Sequence, residues 1–141
     1  MKYHFKIHKE SGGFWAECLE FPGCMTQGDS KEKLIVNMQE ALNTFLEEPE
    51  ETDYIASLPD ETIVRSKSVV EVHVDPAIAL GFILRHSRKE KGMTQREAAK
   101  NLGMKNIFSY QRLERKCNTT IGMLGKLVAL FPLISVNKIF E

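Results

Sequence analysis

The chain has 141 residues, 43% hydrophobic and 27% charged, a balance found in globular domains rather than disordered chains. No apolar run approaches the roughly 20 residues a membrane span needs. The net charge of +0 hides an asymmetry. Residues 1–75 hold 7 Lys+Arg against 15 Asp+Glu, a balance of −8, and residues 76–141 hold 12 against 4, a balance of +8. Such a split suggests two units with different partners, the basic one suited to a polyanion and the acidic one to a basic protein, unless the halves simply attract each other. Cys18, Cys24 and Cys117 form no C-x-x-C pair, and an odd count without a framework favours a reducing cytoplasm.

Taken in chain order, "YHFKIHKE" puts Tyr3, Phe5 and Ile7 on one face and His4, Lys6 and His8 on the other, the period of a strand. "SGG" predicts a turn, and "FWAECLEF" a second strand. "PGCMTQG" reads as a bend followed by a short strand or loop. A helix is expected from "DSKEKL", capped by Asp29 with Glu32 three residues on. Leu34, Met38, Ala41, Leu42 and Phe45 give it an apolar face, and the acidic run around Pro49 ends it. Residues 52–68 look irregular, with one short strand near Ile63-Val64. "SVVEVHVD" is a strand with Val70, Val72 and Val74 on one side. Residues 1–75 are therefore expected to form a small ββαβ-like antiparallel sheet domain with one packed helix.

Asp75-Pro76 begins a different pattern, an all-α domain over residues 76–141. Helices are expected from Pro76 to about Lys91, over "TQREAAKNL" with a Thr94/Glu97 capping box, from roughly Lys105 to Lys116, from near Thr120, and from Ser135. The fold class is thus α+β: the sheet domain, then a helix-turn-helix domain. A helix-turn-helix needs small residues at the crossing, here Ala98 and Ala99, and a turn glycine, here Gly103. At about 100° per residue, Ile107, Tyr110 and Leu113 share the core-facing arc of the helix after Gly103. Lys105, Phe108, Ser109, Arg112 and Lys116 share another. Arg112 suits a bidentate bond to guanine, Ser109 a base edge and Phe108 a thymine methyl. Lys105 and Lys116 suit phosphates, as does the backbone N–H of Gln95. Asn106 is included in this candidate DNA-binding set.

Residues 85–115 resemble the helix-turn-helix of Cro/Xre-type repressors, whose pattern is R-x-x-x-G-x-T-Q-x-x-x-A-x-x-x-G followed by a recognition helix ending in R-I/L-E. Arg88, Gly92, Thr94, Gln95, Ala99, Gly103, Arg112, Leu113 and Glu114 match. The resemblance implies an Arg88–Glu114 ion pair between helices. The segment from Gly103 to Arg112 is about one residue longer than the family's. Residues 15–47 resemble the N-terminal domain of HicB-type antitoxins, through Pro22, Gly23, Cys24, Thr26, Gln27, Gly28 and Asp29. That resemblance implies a partial ribonuclease-H-like domain that blocks a HicA-like, mRNA-cleaving toxin, joined to a domain that represses the operon by binding operator DNA. A homodimer or higher homo-oligomer in the cytoplasm is expected, away from membranes. The alternative is a stand-alone helix-turn-helix regulator whose N-terminal domain dimerises or senses a ligand.

No enzyme activity, cofactor or metal is expected. Metal-dependent nucleic-acid cleavage needs converging carboxylates, and Glu17, Glu20, Glu71 and Asp75 read instead as acids on solvated strand faces. His4 and His8 share a face but stand about 13 Å apart at about 3.3 Å per residue, too far to share one metal.

Overall fold

Alternating residues near the N-terminus become strands because each strand can then bury one side. In the computed structural model, which describes residues 1–47 and 56–141, β1 (Lys2–Glu10), β2 (Gly13–Cys18), β3 (Met25–Gly28) and β4 (Val69–His73) form one antiparallel sheet, ordered β3-β2-β1-β4. Helix α1 (Lys31–Glu47) packs on it through Leu34, Met38, Leu42 and Leu46. On the sheet, Tyr3, Phe5 and Ala16 are fully buried as well. Burying each large aliphatic side chain contributes about 1.5–3 kcal/mol, so this seam dominates the unit's stability. Phe21 closes the core, its ring centroid 4.6 Å from that of Tyr3 and 4.8 Å from that of Phe45. The fold is α+β, and the chain divides into two compact units, Met1–Asp75 and Pro76–Glu141.

Several local expectations are corrected. Of the strand or loop expected after the Pro22-Gly23 bend, Met25–Gly28 takes the strand, because it has an edge to pair with along β2, so the ββαβ-like order becomes βββαβ. The cap of α1 is Ser30, whose Oγ accepts from the Lys33 N–H at 3.3 Å, while Asp29 pairs with Lys33 on the surface. Ile63-Val64 forms no strand. Asp60 instead folds that stretch into a turn by accepting from the backbone N–H and hydroxyl of Thr62. The acidic run at 48–51 lies outside the described residues.

The second unit is helical: α2 (Pro76–Glu90), α3 (Gln95–Asn101), α4 (Ile107–Arg115), α5 (Ile121–Leu130) and α6 (Val136–Phe140). Thr94 caps α3 and Thr120 caps α5, each hydroxyl accepting from the N–H three residues on. Helix α4 starts two residues later than Lys105, because Asn106 adopts extended backbone and caps it through the Ser109 N–H. Ala98, Ala99, Leu102, Tyr110 and Leu127 are buried together with Phe82 and Leu84 from α2.

Candidate functional site

The basic face of α4 is positioned by what lies behind it. Tyr110, on the inner side, is fully buried. Burial, and then the nearby Glu114 carboxylate, raise its phenol pKa well above the ordinary range. Arg88 of α2 donates through Nε and Nη2 to the two carboxylate oxygens of Glu114, and through Nη1 to the Met93 carbonyl at 2.8 Å. Burial opposes the Arg88 charge, but the bonds and charge of Glu114 outweigh it and its pKa is raised. Glu114 also accepts from the Gln95 side chain at 2.9 Å, and Gln95 accepts from Gln111 at 3.0 Å. One carboxylate thus ties α2, the start of α3 and the last turn of α4.

Two further features fix this geometry. Gly103 ends the α3 segment at φ +71°, a left-handed conformation that favours glycine. Gly81 lets α2 lie against α4: a Cβ there would stand 2.8 Å from the Leu113 carbonyl oxygen and 2.9 Å from that of Glu114.

The candidate residues divide in three. Arg112 is exposed on α4, and Phe108, 67% exposed, lies one turn before it. Lys116 is exposed at the C-cap, and Lys105 is exposed in the segment before the helix. Asn106 and Ser109 are bound to each other: Asn106 Oδ1 accepts from both the N–H and the hydroxyl of Ser109, at 2.9 and 3.1 Å. Asn106 is therefore first a cap, and the Ser109 hydroxyl is left to act as an acceptor. The Gln95 side chain is a bridge in the Arg88–Glu114 clamp, so only its backbone N–H remains for the phosphate role. Arg115, exposed and three residues after Arg112, joins the Phe108–Arg112 face. Its i, i+4, i+7 spacing with Phe108 and Arg112 was the signal for it. Gln111 and Gly81 carried no such signal.

In the first unit Glu17 and Glu71 stand on partly exposed strand positions, with side chains 37% and 26% exposed, whereas Glu20 does not. The Glu20 side chain is only 3% exposed and accepts from His4 twice, from the ring Nδ1 at 2.7 Å and from the backbone N–H at 3.0 Å. Glu71 pairs with Lys2 at 3.2 Å, and that bond holds its carboxyl below the usual range. Glu17 faces His8, whose ring stacks on Trp15 with centroids 4.0 Å apart. Pro22 and Gly23 turn the chain so that the Cys24 carbonyl accepts from the Cys18 N–H at 2.9 Å, which starts β3. Both thiols are buried; the neighbouring Cys24 thiol and then burial push Cys18 up, while Cys18 pushes Cys24 down. Among the described residues, no helix is long and apolar enough to cross a membrane.

No family model matches the chain. It is similar to the UPF0150 protein Ta0767 of Thermoplasma acidophilum, 35% identical over 48 residues, which are 33% of this chain and 70% of that protein. On that match, the chain belongs to the UPF0150 family.

Proposed function

We propose that this chain is a HicB-type antitoxin, reading UPF0150 as the HicB-like family that the Pro22–Asp29 run resembles. The sheet unit would bind and block a small basic toxin that cleaves mRNA. The helical unit would act as a helix-turn-helix, binding operator DNA and repressing its own operon as a homodimer. The observation that carries the reading is the way α4 is held. Its inner side is clamped by the buried Arg88–Glu114 pair, and its outer side leaves Phe108, Arg112 and Arg115 exposed. Charge supports both halves: −8 suits a protein whose own ligand is RNA, and +8 suits a phosphate backbone.

The test is co-expression of the full chain with the small basic protein encoded beside it. Growth should stop without this chain and resume with it. An Arg112→Ala chain should still rescue growth but lose operator binding in a shift assay. Rescue by neither chain would sink the antitoxin reading. Unchanged operator binding by Arg112→Ala would remove α4 as the reading helix.

A further inference from the structure

A groove of about 660 Å³ opens between α1 and the β4 side of the sheet. Ile7, Phe14, Leu34, Met38, Val70 and Val72 line its floor, and Ile35, 60% exposed, stands at its lip. Lys9, Lys31 and Lys67 gather at one end. Lys9 is paired across the ladder with Phe14, and the Lys31 ammonium lies 6.0 Å from the centre of the Phe14 ring. Lys67 precedes Ser68, whose carbonyl accepts from Ile7. Residues 1–75 have 7 cations in all, so three of them bordering one apolar trough in a unit of net −8 is a strong local inversion of sign. Among the described residues, none of the three has a carboxylate within ion-pairing distance. The one acid bordering the groove, Glu71, is engaged by Lys2 and Arg65.

A partner strand is a poor occupant. The open edge of β4 is partly closed: Gln39 donates to the His73 carbonyl at 3.2 Å, and Ser66 bonds both backbone groups of Val69. What remains is an apolar channel with a cationic end, of the size that small-molecule sites have, about 300–1,000 Å³. Lysines supply mobile point charges rather than the planar fork of arginine, which suits a single anionic head. Met38 gives the floor an adaptable surface for a flexible chain.

We propose that this groove binds an anionic amphiphile, its head held by Lys9, Lys31 and Lys67 and its unbranched apolar tail laid along the floor. The proposal rests on the lining of the groove and not on the antitoxin reading. The probe is decanoate, titrated below its micelle concentration into the ¹⁵N-labelled full chain. One-to-one saturation is expected, with amide shifts confined to residues 7–14, 31–39 and 67–73. The exposed double substitution Lys31→Gln with Lys67→Gln should raise Kd about tenfold or more, and 1-decanol and acetate should each bind at least about tenfold more weakly than decanoate. Shifts elsewhere or no saturation would overturn the proposal. So would a double variant or 1-decanol binding as tightly as the parent binds decanoate, or an acidic peptide filling the groove where decanoate does not.

Discussion

At the scale of single residues, the buried Arg88–Glu114 pair makes a decisive test, because a buried charge without its partner is far worse than no charge. Glu114→Ala should destabilise the helical unit by about 3–5 kcal/mol, since it strands the Arg88 guanidinium. Arg88→Met combined with Glu114→Leu should cost much less than either single change, as measured by urea unfolding of the full chain. Additive losses would mean that the pair is not coupled. Gly81 and Gly125 offer a second comparison. Alanine at a helix interior gains about 1 kcal/mol over glycine. At Gly125 nothing lies within 4 Å of the added methyl, so Gly125→Ala should raise Tm by several degrees. At Gly81 the methyl meets backbone oxygens at 2.8 and 2.9 Å that cannot turn aside, so Gly81→Ala should lower Tm despite the propensity gain. No pattern in the sequence separates these two glycines; only the path of α4 does.

At the scale of elements, α1 does more than cover the sheet. Leu34, Met38 and Leu42 face inward, while Asn37 and Gln39, on opposite flanks of that stripe, reach the two sheet edges. Asn37 donates to the Gln27 carbonyl of β3 at 2.8 Å, Gln39 donates to the His73 carbonyl of β4, and Asn43 accepts from the Asp75 N–H where the unit ends. Open edges invite strand addition, and these amides blunt both. Asn37→Ala with Gln39→Ala should leave Tm nearly unchanged, since the freed carbonyls face water. It should raise the concentration-dependent mass measured by light scattering, and a mass equal to the parent's would argue against edge protection. The apolar stripe of α1 was legible from spacing alone, as were the Thr94 and Thr120 caps, where one hydroxyl stands at the right place. The start of α1 was not, because Asp29 and Ser30 both suit a cap and only backbone geometry chooses. The start of α4 was missed for a related reason: Asn106 offers base-reading chemistry and capping chemistry at once, and the helix uses the second. Glu20 reads as a surface acid because its partner His4 is 16 residues away, on β1, while Glu20 itself lies in the bend after β2.

At the scale of the whole molecule, the opposed charges of the two units make salt a discriminating variable. If the helical unit binds operator DNA through Lys105, Arg112, Arg115 and Lys116 as proposed, condensed counterions are released, and log K should fall linearly with log salt, by about 0.9 for each phosphate neutralised. Lys116→Gln should reduce that slope by about one phosphate and weaken all sequences alike. Arg112→Ala should instead narrow the gap between operator and random DNA, because a bidentate guanine contact contributes about 1–3 kcal/mol of discrimination. The −8 unit should respond to salt separately: capture of a basic toxin, as proposed, would be steered by long-range attraction, screened beyond about 8 Å at physiological ionic strength. Substituting Lys116 should leave that capture untouched. Association rates for toxin and operator, measured across the same salt series for the parent and Lys116→Gln chains, would separate the two. If Lys116→Gln changed both equally, the two charge fields would not be serving different partners, and the division of labour between the units would fall.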